Sequence, residues 1–352
     1  MAAIIDRCRT FWQRIEASPA VTQARVPLVR DHVDTGAKLG GAFVPDKHYF
    51  TVRVNRMYLH NKREWTSLLD PMVVCMSEFL YDKKEEDAVP FVIGPTRIQQ
   101  IAKGVNLSDS DTRVAGIHPY RGGQLKITVV LLQVQRNVAK DMLKIVESTA
   151  GALDFATGLS TYLKIGNVLL DGIDSLFGLS GTEPVVGHSK QFDPDGGDEF
   201  VPGYYALIDL PESQVSADRL WVKKNELCEG PDMLAAKPLR TADYVLYSIT
   251  QTDRRGDIRA LPFYPLWERV QKEAGAGRPD AFENAKTLLS GLVQDMRLSA
   301  DLTEDQCTEI VADWRKKTRE RYDEAVGIGN LAKGKSSKFE AIRDEALDIL
   351  KL

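Results

Sequence analysis

Two stretches of the 352-residue chain carry side chains whose types and spacing could do chemistry. The first is QFDPDGGDEF, residues 191–200, where Asp193, Asp195, Asp198 and Glu199 bring four carboxylates into one glycine-bearing turn. Ca²⁺ takes about six to eight oxygen ligands, so this turn is the candidate metal site. It lacks the closing bidentate Glu of a calcium helix–loop–helix, and a weak site or a plain solvated hairpin loop is expected. The second stretch is HPYRGG, residues 118–123. Arg121 could clamp a carboxylate or phosphate through its planar fork, with His118 and Tyr120 beside it as ligand or partner contacts. Gly122 and Gly123 before an alternating run are also the ordinary chemistry of a turn entering a strand, and the structural reading is preferred.

The remaining candidates are thinner. His32, His48, His60, His118 and His188 make no HExxH pair. Cys8, Cys75, Cys228 and Cys307 lie far apart without CxxC spacing, which argues against a zinc ribbon. Cys75, inside MVVCMSEF, reads as a buried small hydrophobe whose thiol resists ionisation. GIGNLAKGKSSK, residues 327–338, has the glycines and lysines of a phosphate loop. No strand precedes it, and it reads as a flexible basic linker between two helices. A hydrolase assembling dispersed Cys, His and Asp residues stays open as an alternative, but no local signature supports one.

The elements that must position these residues follow from periodicity. Ile4, Cys8, Phe11, Trp12 and Ile15 fall at helical spacing, giving an amphipathic opening helix rather than a signal peptide. Its apolar face suits packing on its own domain better than contact with a membrane surface. HYFTVRVNRMYL alternates as a half-buried strand, and DPMVVCMSEFLYD and AVPFVIGP form a hairpin around the charged link DKKEEDA. QLKITVVLLQV becomes apolar on both faces, as in a covered sheet. Residues 137–178 change to a helical period and form an insertion. PVVGHSKQF, GYYALIDL, DRLWVKKNEL and DYVLYSITQT then return as strands.

Beyond Arg255 the chain reads as helical, with caps expected at Asp280, Thr303 and Ser337. The fold class expected is α+β: an antiparallel β-sandwich-like domain with a helical insertion, followed by a helical C-terminal region. The divisions are 1–47 for the opening helix and loop, 48–255 for the sheet domain and 256–352 for the helices.

The charge balance, 46 basic against 50 acidic side chains, argues against nucleic acid as a partner. The cluster Arg315-Lys316-Lys317 with Arg319 and Arg321 reads as a solvated helix face. No stretch is apolar enough for a transmembrane helix, and a cytoplasmic, soluble protein is expected. With no catalytic constellation in the sequence, the leading expectation is a non-catalytic interaction or regulatory protein acting through a protein partner. Several amphipathic helices, set against what one core can cover, favour that reading. The second is a Ca²⁺-dependent lipid- or ligand-binding sandwich module using residues 193–199.

Overall fold

The structure is a computed structural model. It describes residues 2–18, 24–28, 30–34, 40–60, 63–64, 67–80, 86–93, 112–135, 159–177, 182–193, 197 and 199–349. The helix expected over residues 137–155 and residues 82–85 of the link DKKEEDA lie outside the described residues, while Glu86, Asp87 and Ala88 of that link are already strand, paired with Leu80, Phe79 and Glu78. The chain divides into two compact units, Met1–Asp257 and Ile258–Leu352. Fold and composition are mixed α/β with antiparallel sheets, and the C-terminal region is helical. No described helix is long and apolar enough to cross a membrane.

The first unit runs α1 (Ala2–Glu16), β1 (Ala24–Leu28), β2 (Val33–Asp34), β3 (Tyr49–Tyr58), β4 (Arg63–Glu64), β5 (Ser67–Leu80), β6 (Glu86–Ile93), β7 (Thr112–Pro119) and β8 (Leu125–Gln135). It continues with α2 (Leu159–Phe177), β9 (Thr182–Phe192), β10 (Gly203–Ile208), β11 (Leu220–Lys223), β12 (Glu226–Glu229), β13 (Lys237–Pro238) and β14 (Tyr244–Thr252). One antiparallel sheet has the order β1-β10-β14-β3-β7. A second runs β4-β5-β8-β9, with β6 paired to β5. A small third sheet, β13-β12-β11-β2, holds a parallel pair, β11 with β2.

β8 is buried on both faces because each face has its own cover. Toward α1, a Cβ built at Gly187 of β9 would meet Ile15 at 3.1 Å, Trp12 at 3.4 Å and Val130 of β8 at 3.4 Å. Ile4, Cys8, Phe11 and Ile15 of α1 are all buried, as the helical spacing requires. α2 joins α1 through an edge contact of Phe11 with Phe177 and through Arg7, which reaches Asp171 and Asp174 at 2.8 Å each. On the opposite face, Phe79 of β5 meets Phe50 of β3 with ring centroids 5.5 Å apart. That contact joins the two larger sheets.

Two strands depart from the sequence expectation. β3 is buried along nearly its whole length, including Thr51 and Asn55, with Arg56 alone exposed. It is interior to its sheet, and Arg56 meets Glu226 of β12 at 3.4 Å, so the small sheet covers the face expected to be wet. DRLWVKKNEL is a hairpin rather than one strand. Lys224 and Asn225 take φ of 50° and 60°, the left-handed pair of a two-residue turn, without the glycine that would have signalled it. Leu220, Val222 and Leu227 of that hairpin cover Val26, Tyr204, Ala206, Tyr244 and Leu246.

The second unit contains α3 (Tyr264–Ala274), α4 (Ala281–Leu298) and α5 (Glu304–Ile349). The stripe Ala285, Leu289, Leu292 and Met296 is buried as expected. Trp267 of α3 stacks on Trp314 of α5 at 4.3 Å and 8°. At the start of α5, Thr303 Oγ1 accepts the Gln306 backbone N–H at 3.3 Å, half of the expected capping box.

The expected joint at 327–336 is absent, because α5 is one 46-residue helix. Ser337 therefore sits mid-helix rather than at a helix start. Three glycines weaken this stretch by about 1 kcal/mol each. Yet Ala, Leu, Lys and Glu surround them, no proline intervenes, and extending a helix is far easier than nucleating a new one.

A Cβ added at Gly327 would meet nothing within 4 Å. Gly327→Ala should therefore raise stability by about 0.5–1 kcal/mol, and Gly327→Pro should lower it by about 3 kcal/mol with loss of far-UV helical signal. If both substitutions leave the denaturation midpoint and the ellipticity unchanged, a joint is present and the continuous helix is wrong.

Candidate functional site

HPYRGG is fully engaged with the loop of residues 40–48. The Tyr120 backbone N–H donates to His48 O at 2.9 Å, and Tyr120 O accepts from the Asp46 N–H at 2.7 Å. The Tyr120 ring is buried against Phe43 and Phe200. Arg121 does clamp a carboxylate, but the chain's own: Nη1 donates to Asp46 Oδ1 at 2.6 Å with the arginine side chain 9% exposed. Gly122 and Gly123 take φ of 82° and 68°, so these are turn glycines.

His118 is sealed between the sheets. Phe79 stacks on its ring at 5.0 Å and 26°, and Phe50 meets it edge-on at 5.5 Å. Neither ring nitrogen has a hydrogen-bond partner among the described residues. Burial first, then the positive charges of Arg255 and Arg113, lowers its pKa to about 3, so the ring is neutral at physiological pH. His118, Tyr120 and Arg121 thus share one place but build a packed junction there.

Sequence reasoning missed the partner that completes this junction. His48 Nδ1 accepts from the Val44 N–H at 2.8 Å and from Gln251 Nε2 at 2.9 Å, while Nε2 lies 3.2 Å from Asp253 Oδ1. A carboxylate on one imidazole nitrogen is the orienting half of a catalytic triad. Here the other nitrogen, which a nucleophile would use, already takes a backbone N–H, and the pair fixes the loop. No local motif could have joined residues this far apart in sequence.

The acidic turn is only partly visible. Asp193 is half-buried and Glu199 exposed, while Asp195 and Asp198 lie outside the described residues. Its base is held by Phe192 and Phe200, whose rings are 4.9 Å apart. Among the described residues no group of three or more His, Cys, Asp or Glu side chains could hold a metal ion.

The other reactive groups are spoken for or silent. Cys75 is buried as expected, and burial pushes its thiol up to about 12, far from a nucleophilic thiolate. His32 stacks on Trp221 at 3.8 Å, and its Nδ1 bonds Leu220 O at 2.8 Å. Glu78 is buried between Arg9 at 3.3 Å and Lys126 at 3.1 Å beside a small cavity of 130 Å³. Arg255 is bidentate to Asp257 at 2.6 and 2.8 Å, the charge pairing that DRRGDIR suggests. Gly329 to Ser336 fits the phosphate-loop spacing GxxxxGKS letter for letter. It lies inside helix α5, whose backbone N–H groups are committed to intrahelical bonds and cannot cradle a phosphate.

Among the described residues, a roomy concavity lies in the helical unit, a groove of about 540 Å³ between α4 and α5. Phe282, Leu289 and Val293 give it an apolar lining, Ser290, Gln294 and Thr318 are its neutral polar groups, and Lys286 and Arg315 are its cations. No acidic residue is among its described lining residues. Lys286 is held by Glu283 at 3.0 Å. The basic cluster on α5 is paired along the helix as expected of a solvated face: Lys316 with Glu320, Lys317 with Asp313, Arg319 with Asp323, Arg321 with Glu324. Arg315 is the exception, with no ion pair or hydrogen bond among the described residues. The sequence located the cluster but not the groove, because spacing alone does not say which residue of a basic run faces a neighbouring helix.

His118 generates a pH prediction. Its folded pKa of about 3 lies below the ordinary 6.5, so the unfolded chain binds the extra proton between those values. His188, lowered to about 4 chiefly by burial, acts in the same direction. Stability should be flat with respect to these groups above pH 6.5 and fall as pH drops from 6.5 toward 3. His118→Phe should flatten that fall and, by removing two unpaired buried nitrogens, stabilise the protein at pH 7 by about 1 kcal/mol. Denaturant midpoints across pH check both, and an unchanged slope in the variant would show that His118 is not sealed.

Compared with known protein families, curated proteins and solved structures, the chain matches none, and its function has to be read from the chemistry of these sites.

Proposed function

We propose that the protein is a non-catalytic interaction protein, regulatory or accessory in role, whose helical unit docks an acidic amphipathic segment of a protein partner. The observation that carries this reading is the α4–α5 groove. Its volume lies within the range of about 300–1,000 Å³ found for binding pockets. Its apolar lining continues the face that α4 buries: Phe282, Leu289 and Val293 follow one stripe beside the core stripe Ala285, Leu292 and Met296. An amphipathic helix laid in such a groove offers apolar anchors at helical spacing. Lys286 and Arg315 without a lining carboxylate select acidic flanks over basic ones.

On this reading the sheet unit is a scaffold. The two five-stranded antiparallel sheets act as a sandwich-like body, and residues 137–178 are an insertion carried on it. The contact of Phe50 with Phe79 across the sheets supports the first, and the position of α2 between the adjacent strands β8 and β9 supports the second. Nucleic acid is not a partner on this reading, given the acidic balance of the chain. Cytoplasmic action is supported by four cysteines that are all buried as thiols.

Fluorescence anisotropy with a synthetic acidic amphipathic helical peptide tests the proposal. Binding in the micromolar range is expected, and Val293→Asp should weaken it at least about tenfold, or about 1.4 kcal/mol. Arg315→Glu should weaken it too, with an effect that shrinks at high salt. A basic peptide of equal hydrophobicity binding as well as the acidic one would overturn the reading.

A further inference from the structure

We propose that the groove between α4 and α5 of one copy receives residues 339–349 at the end of α5 from a second copy of this chain. The inference rests on the docking reading above and names the partner.

The first ground is length. α4 has 18 residues and α5 has 46, or about 27 Å and about 69 Å at 1.5 Å per residue. The two are joined by the short turn of residues 299–303, so α4 can flank only the first part of α5. About 40 Å of α5 extends past the end of α4. A helix that carries apolar residues does not stand alone in water and takes its stability from packing.

The second ground is chemistry. FEAIRDEALDI, residues 339–349, holds Glu340, Asp344, Glu345 and Asp348 against the single base Arg343. Phe339, Ile342 and Leu347 recur at helical spacing within it. This is the acidic amphipathic segment that the groove's uncompensated Arg315, its Lys286 and its apolar lining fit. Lengths agree as well: eleven residues of helix span about 16 Å, and the groove from Phe282 to Gln294 about 18 Å.

The third ground is connectivity. α5 supplies one wall of the groove and also carries the 339–349 segment, as one continuous helix. A continuous helix cannot fold back on its own first turns, so its end cannot fill the groove of the same chain. A second copy can, and each copy giving its helix end to the other closes a two-fold pair with two equal contacts.

Sedimentation velocity on the full chain tests this. The wild type should self-associate with a micromolar dissociation constant, weakened at least tenfold by Val293→Glu in the groove and by Ile342→Glu in the helix end. Mixing these two variants should restore a one-contact pair, since each supplies the surface the other lacks. Arg315→Glu, a surface change that leaves folding intact, should weaken association, and Asp344→Lys with Glu345→Lys should restore it in that background. Should wild type stay monomeric to about 100 µM while the groove still binds the acidic peptide, self-docking is overturned and the partner reading stands. Should it stay monomeric and bind no peptide, both fall.

Discussion

The first unit depends on one aromatic junction. Phe50, Phe79 and His118 meet where the two larger sheets touch, and Phe200 links them to Phe43, Tyr120 and Phe192. Ring contacts of this kind add about 0.5–1.5 kcal/mol each beyond the area they bury. Their geometric consequence is larger. With Phe43 stacked on Phe200 at 4.1 Å, the loop of residues 40–48 is pulled against the start of HPYRGG. Asp46 then faces Arg121, and His48 lies between Val44, Gln251 and Asp253. Polar groups of the kind that serve substrates are drawn inward and paired with one another.

That junction explains which parts of the fold were legible in the sequence. Burial on both faces of β8, the buried stripe of α1 and the stripe of α4 all follow from periodicity, because each depends on residues near in sequence. The double cover of β3 was not legible. Thr51 and Asn55 look like a wet face, and nothing nearby announces that β12, more than 160 positions later, covers part of it. The β11–β12 hairpin was hidden because Lys224 and Asn225 adopt left-handed backbone without glycine. The candidate site behaves in the same way. HPYRGG was found as a stretch, while Asp46, His48 and Asp253, which decide what the stretch does, come from distant segments.

α5 shows the opposite failure, in which local signals were read too strongly. Gly327, Gly329, Gly334 and the Ser337–Glu340 pair look like a stop and a restart. Glycine lowers helix stability but does not forbid the helix, as proline would. A cap residue caps only where the helix begins, and inside a running helix the same serine competes weakly with the backbone ladder. The resemblance of the same residues to a phosphate loop fails for a related reason. That chemistry needs backbone N–H groups turned outward, and helical hydrogen bonding turns them along the axis.

The two units therefore handle charge differently, and the contrast favours binding in the second. In the first, Glu78, Asp46 and Asp257 each sit beside an arginine or lysine, so removing either partner would strand a charge in a poorly solvated place. Such pairs hold position and leave little capacity for a ligand. In the second, the charges of α5 pair along an exposed helix face, where each pair is worth only about 0.3–0.5 kcal/mol. Arg315 stands outside that pairing, at the edge of apolar surface between α4 and α5. A cation beside uncovered apolar surface gains most when an acidic amphipathic helix displaces the water from both at once. The groove thus combines open volume, apolar lining and an unspent charge.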